Sequence, residues 1–142
     1  MTILDAIAKV TEGHAGQVDK AGEPYVSHVI RVAASVPDEY ARVALFHDYF
    51  EDVVQKDDLE VMDIWKEIPE LTLEEAVSLF YLTRQKGVNY EDYIRMLSNF
   101  EIAKVVKIAD LKDHLRDTSV IPLSLIERYR KALSMLEAED GS

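Results

Sequence analysis

The sequence contains no cysteine. That excludes disulfides, zinc–thiolate sites and thiol nucleophiles. Sustained period-two alternation is missing, and so are hairpin dipeptides such as Asn-Gly, so no sheet is expected. There are only five glycines and four prolines, and no linker, internal repeat or low-complexity tract interrupts the chain. No apolar run approaches the roughly 20 residues that a membrane-spanning helix needs. The N-terminus, Met1 to Asp5, lacks the basic stretch and apolar run of a secretion signal, so the expected location is the cytoplasm. Positive charge is scarce: 16 Lys and Arg stand against 27 Asp and Glu, a net charge of −11. A chain this acidic repels nucleic acid and anionic membrane at long range, so neither is an expected partner. A small phosphate ester remains accessible if a metal ion or a few local cations reverse the field at the site.

What is present is ordinary globular composition. Hydrophobic residues make up 48% and charged residues 30% of the 142 positions, which suits one soluble domain spanning residues 1–142. Folding a chain of this size buries roughly two-thirds of its surface, enough for a core without staples. Composition leaves the oligomeric state open.

The apolar spacing predicts an all-α bundle of about seven or eight helices. Ile3, Leu4, Ile7 and Val10 share one helical face, ending near Gly13 or Gly16. A polar connection from Gln17 to Glu23 leads to Pro24, suited to a first helical position. A helix through Tyr25, Val29 and Val32 closes at Pro37. A third is expected from Asp38 to about Asp52. Asp57 and Asp58 read as the start of a short helix stopped before Pro69. Thr72 and Glu75 form a capping-box pattern. Asn89 and Asp92 mark another start. Ile102, Val105, Val106, Ala109 and Leu111 mark a buried helix. Pro122 opens the last one, with a polar, frayed tail expected from Glu137 to Ser142. Trp65, Phe80, Tyr93 and Tyr129 read as core, and Lys104 and Lys107 as solvated flanks.

The chemistry sits at the ends of apolar runs. In the segment from Ala41 to Asp52, Val43, Ala44, Leu45 and Phe46 lead into His47, Asp48, Glu51 and Asp52. Spacings of three and four place these four side chains on adjoining stripes of one helix. Three carboxylates this close repel one another. A divalent cation would offset that, whereas a solvated acidic helix end would simply tolerate it. A second apolar run, Val105 to Ala109, leads into Asp110, with Asp113 and His114 one turn later; its alternative is a helix emerging into solvent. The third segment, Gly13 to His28, is a shaped loop ending in a histidine one turn after Tyr25, where a structural hydrogen bond is the common role. Taken together, His28, His47, Asp48 and Asp110 come from three helices, each beside apolar residues. A bundle can converge such groups on one interior point. A mixed nitrogen and oxygen set suits manganese, iron, cobalt, nickel or zinc better than calcium.

These segments together resemble the HD-domain metal-dependent phosphohydrolases, and most closely the (p)ppGpp hydrolase branch of RelA/SpoT-type enzymes and small alarmone hydrolases. The matching motifs are His14-Ala-Gly-Gln17, Gly22-Glu-Pro-Tyr-Val-Ser-His28, Ala44-Leu-Phe-His-Asp-Tyr-Phe-Glu-Asp52 and Lys107-Ile-Ala-Asp110. Leu82-Thr-Arg84, Tyr90 to Ile94 and Arg128 to Leu133 fit the same branch. The resemblance covers about Ile3 to Leu136. It implies His28, His47, Asp48 and Asp110 as ligands of one divalent ion, usually Mn²⁺ in this branch. It implies Glu51 and Asp52 as the pair that orients and activates the attacking water. Lys20, Arg84 and Lys112 are the candidates for positive charge toward substrate phosphates, with His114 as a further substrate-side group. His14 is expected to organise its loop. Two positions depart from the pattern. Asp19 stands where these hydrolases carry a basic residue that contacts the base, and His114 where they carry an asparagine.

The implied substrate is a small phosphorylated nucleotide, with (p)ppGpp as one case. The rivals are a phosphatase of a nucleoside monophosphate or NADPH, and a non-catalytic nucleotide sensor that keeps the fold.

Overall fold

The structure, a computed structural model, describes residues 1–140, with side chains to 138. It is all-helical: among the described residues there are eight α-helices and no strand, only an isolated antiparallel bridge between Val18 and Pro24. The helices are α1 (Ile3–Gly13), α2 (Tyr25–Ala34), α3 (Ala41–Phe46), α4 (Val61–Glu67), α5 (Leu73–Leu82), α6 (Tyr90–Leu97), α7 (Glu101–His114) and α8 (Leu123–Asp140).

Local chemistry sets most of the starts. The Thr2 hydroxyl accepts from Asp5 N–H while the Asp5 carboxylate accepts from Thr2 N–H, and Thr72 and Glu75 repeat this box at α5, satisfying donors that a helix start leaves open. Asn89 caps α6 by accepting from Glu91 and Asp92 N–H. Pro24 caps α2 from just outside it, one residue earlier than its expected place in the first turn.

The short α3 is the centre of the bundle. Val43, Ala44, Leu45 and Phe46 are all buried, and α1, α2, α5 and α7 pack around them. Each such large side chain contributes roughly 1.5–3 kcal/mol by leaving water. Arg42, at the edge of this centre, is held by Glu75, whose carboxylate accepts from Nε at 3.0 Å and from an NH2 group at 2.5 Å. Gly13 lets α1 approach closely: a Cβ there would lie 2.7 Å from the Tyr49 ring.

Several boundaries correct the sequence reading. The helix expected from Asp38 to Asp52 is not continuous. A 3₁₀ turn covers Asp38–Tyr40, α3 ends at Phe46, and a π-helical turn covers Phe50–Val54 before Gln55 turns left-handed at φ 54°. Asp57 and Asp58 do not begin α4; Asp58 has φ 53° and the helix begins at Val61. Lys104 and Lys107 are not solvated flanks. Lys104 is buried, and Lys107 lies largely covered with its ammonium 2.9 Å from Asp110. Helix α8 continues through Glu137 to Asp140, where a frayed tail was expected; residues 141 and 142 lie outside the described part. Tyr93 is buried, while Trp65, Phe80 and Tyr129 are partly buried against the core.

Candidate metal centre and active site

Three stretches of backbone deliver the polar groups. Helix α2 carries His28 near its start, the exit from α3 carries His47 and Asp48, and the last turns of α7 carry Asp110. The exit from α3 is where helical bonding changes. The His47 N–H reaches back three residues to Ala44, and the Gln55 N–H reaches back five to Phe50. A π turn of this kind fits an extra residue into the helix and re-aims the side chains around it. Glu51 and Asp52 lie in this turn, close enough to Asp48 to feel its charge.

His28, His47, Asp48 and Asp110 each offer one donor atom, and these four atoms lie within 4.8 Å of one another. His28, His47 and Asp110 are 2–3% exposed, so water does not screen their charges. His28 Nε2 is 2.9 Å from Asp110 Oδ1 and 3.8 Å from Asp48 Oδ2, and His47 Nε2 is 3.1 Å and 2.9 Å from the same two oxygens. The far nitrogen of each ring is already committed. His28 Nδ1–H donates to Asp113 Oδ2 at 2.7 Å, and His47 Nδ1–H donates to the Ala44 carbonyl at 2.6 Å. This fixes the tautomer that presents Nε2 to the centre, the usual support for a ligating imidazole. Asp110 Oδ2 is held by Lys107 and Asp48 Oδ2 accepts from the Tyr25 hydroxyl at 2.5 Å. The donor set, its burial and its outer partners fit one divalent cation.

The ionisation pattern follows from burial against pairing. Burial pulls the His47 pKa down, but Asp48 and Asp110 outweigh it and leave it well above the ordinary value. Burial pushes the Asp110 pKa up, yet Lys107 and then His47 bring it well below the carboxylate range. Glu51 and Asp52 differ. Partial burial, and then the charge of Asp48, raise both. Each is anchored by one neighbour: the Arg84 N–H donates to Glu51 Oε1 at 3.1 Å, and the Gln17 amide donates to Asp52 Oδ2 at 3.0 Å. Gln17 Oε1 in turn faces His14 Nδ1 at 2.8 Å, so His14 does organise its loop.

The expected substrate-side groups scatter. Lys20 and His114 line a cavity of about 500 Å³ beside His28, together with Tyr25, Arg116 and Tyr129. His114 stacks between the rings of His28 and Tyr129, at centroid distances of 4.3 and 5.1 Å, with Nε2 3.2 Å from Asp110 Oδ1. Asp19 lines the same cavity, but its Oδ1 accepts from the Ala21 and Glu23 N–H groups, so it shapes the loop. Arg84 borders a separate cleft beyond Glu51. Lys112 lies elsewhere: two residues past Asp110 turns it to another face of α7, where it pairs with Glu137 at 3.7 Å.

Sequence reasoning left three residues without their roles. Tyr25 holds Asp48, Asp113 holds His28, and Lys107 neutralises Asp110. Each stands three residues from a ligand along its helix, except that Tyr25 and Asp113 also reach a partner on another helix. The spacing was visible; the interhelical partner was not.

No family model matches this sequence, and neither does any curated protein. Among solved structures, the fold is similar to that of a metazoan orthologue of SpoT that hydrolyses ppGpp and plays a role in starvation responses. The TM-score is 0.68 at 21% identity, over 94% of this chain and 84% of the other. The likeness is one of fold: the two chains share an all-helical bundle, and in this one His28, His47, Asp48 and Asp110 form a cluster within it.

Proposed function

We propose that this chain is a metal-dependent phosphohydrolase of a small phosphorylated nucleotide. The observation that carries the reading is the convergence of two imidazoles and two aspartates from three helices on one buried point. Glu51 and Asp52 stand beside it. His28, His47, Asp48 and Asp110 would hold a divalent ion, whose Lewis acidity would lower the pKa of a water and polarise a phosphoryl oxygen. The remaining tasks fall to the chain itself. Asp113 and the Ala44 carbonyl hold the rings in register, and Lys107 and Tyr25 hold the carboxylates. Glu51 accepts the proton of the attacking water, its basicity raised by partial burial and by Asp48. Asp52, tied through Gln17 to the first loop, aligns that water.

Manganese is our choice of ion because the motifs resemble a branch that usually carries it; the mixed nitrogen and oxygen set accepts it as it accepts iron, cobalt, nickel or zinc. The similarity in fold to a ppGpp hydrolase supports an alarmone as substrate. A different nucleotide, such as a monophosphate or NADPH, is favoured by one observation: Asp19 stands where the resembling hydrolases carry a basic residue, and its carboxylate is committed to its own loop. The anchoring of Glu51 and Asp52 speaks against a non-catalytic sensor. We read residues 1–142 as one domain and the cytoplasm as its location; among the described residues no helix is long and apolar enough to cross a membrane.

The test is elemental analysis of the purified protein, followed by Mn²⁺-supplemented assays on ppGpp, nucleoside mono-, di- and triphosphates and NADPH. Pyrophosphate released from ppGpp alone identifies an alarmone hydrolase. Phosphate released from a monophosphate or NADPH identifies the alternative. Nucleotide binding without turnover on every substrate overturns the hydrolase reading.

A further inference from the structure

A cleft of about 330 Å³ opens beyond Glu51, between the start of α6 and the middle of α8. Its walls carry Arg84, Arg128 and Lys131, three of the 16 cations in a chain of net charge −11. The Arg84 and Arg128 guanidiniums lie 5.4 and 4.7 Å from the centre of one ring, that of Tyr90. Among the described residues neither has a carboxylate within ion-pair reach. Arg84 spends only Nε, on the Val88 carbonyl at 2.9 Å, which leaves its terminal amino groups uncommitted. Lys131 is paired with Glu91, the one acidic residue of the wall. The balance is three positive charges against one negative.

Two guanidiniums beside one ring, lining one cleft, concentrate positive charge there, and the cation–π attraction offsets its cost only in part. An anion in the cleft neutralises that charge. A guanidinium suits a tetrahedral oxyanion because its parallel N–H groups match two oxygens at once. The volume lies at the low end for small-ligand sites, suited to a phosphate group more than to a whole nucleotide.

The cleft is also joined to the candidate centre. Arg84 lines it with its side chain while its backbone N–H holds Glu51. Tyr90 lines the cleft, and its hydroxyl is buried without a hydrogen-bond partner. We infer that this cleft is a second anion site, in which Arg84 and Arg128, assisted by Lys131, take a phosphate group that does not touch the His/Asp cluster. The group is either a distal phosphate of the substrate or a separate small phosphate. The site stands on its own cations; only the first of these two sources rests on the hydrolase reading.

The probe is inorganic orthophosphate, titrated calorimetrically into the full chain with and without a chelator, for the wild type, Arg128→Ala and Arg128→Glu. Circular dichroism checks that each variant is folded. The expected result is binding that survives the chelator, weakens about tenfold in Arg128→Ala and is lost in Arg128→Glu. Binding abolished by the chelator, equal binding by all three proteins, or no binding at all overturns the site. A second arm separates the sources. If the occupant is a distal phosphate, Arg128→Ala raises KM about tenfold for a substrate with two phosphorylated positions, and leaves no such rise for a monophosphate ester. If both esters respond alike while orthophosphate binding is lost, the occupant is a separate phosphate. Should no ester be hydrolysed at all, the calorimetric arm still decides the site.

Discussion

Asp113 Oδ2 accepts a 2.7 Å hydrogen bond from Nδ1 of His28, a residue 85 positions earlier in the chain. The same carboxylate takes both Nε and an NH2 group of Arg31, at 2.9 and 3.0 Å. Burial pushes its pKa up, but the bonds from His28 and Arg31 prevail and hold it well below the usual carboxylate range. Asp113 is therefore an anion at neutral pH and fixes which His28 nitrogen faces the centre. Outer partners of this kind set ligand geometry as much as the ligands do.

Replacing Asp113 should therefore weaken metal binding without removing a ligand. We expect Asp113→Ala to lower affinity by about 10–100-fold, read by competition with a metal-sensing dye. Affinity equal to the wild type would mean that His28 keeps its orientation without this bond.

Ligand and water-activating groups should separate cleanly. Asp48→Ala should lose both bound metal and turnover. Glu51→Gln keeps the shape and the bond from Arg84, so it should retain metal and lose about 10²–10⁴-fold in rate. Metal content by elemental analysis and phosphate release by a colorimetric assay measure the two effects. Turnover of Glu51→Gln at the wild-type rate would reject its role as base.

Glu51 also predicts a pH dependence with opposite signs for rate and stability. Its folded-state pKa is raised, by burial first and by Asp48 second. A base must be ionised, so kcat/KM at saturating metal should fall as pH drops through the pKa that Glu51 has in the metal-loaded enzyme. For stability, the folded state binds the Glu51 proton more tightly than the unfolded state does. That contribution is complete below the unfolded pKa and is lost as pH rises through the folded one. In chelator-treated protein, Glu51→Gln should therefore gain stability over the wild type at pH 7 and gain less near pH 4. Urea melts at the two pH values measure it; a difference that is the same at both would contradict the raised pKa.

Gly13 supplies a packing test remote from the chemistry. Its φ lies outside the left-handed region, so the constraint is space: a Cβ would meet the Tyr49 ring at 2.7 Å and the Val53 methyl groups at 3.2 and 3.3 Å. Gly13→Ala should cost about 1–3 kcal/mol, the usual range for overpacking. An unchanged urea midpoint would show that Tyr49 moves aside freely.

The elements were legible where a local pattern settles them. The Thr72 box, the Asn89 cap and the start after Pro122 all lie where short-range hydrogen bonding or backbone sterics put them. The break at His47 was not legible. Its sequence continues a helical pattern, and the change to a π turn depends on what Phe46, Tyr49 and Phe50 pack against. Lys107 was misread for a related reason. At the boundary of an apolar face a lysine normally extends into water, and only the neighbouring Asp110 and the Tyr93 ring keep it inside.

The sequence by itself determined the helical class and several of the caps, and it pointed to the six residues of the proposed chemistry, because periodicity, capping and motif spacing act over a few residues. The tertiary structure alone decided the rest. It brought three helices together so that four donor atoms meet, tied Asp113 to His28 and Gln17 to Asp52, and gathered Arg84 and Arg128 on one ring. Those contacts join positions far apart in the chain, and only the packing of apolar faces sets their distances.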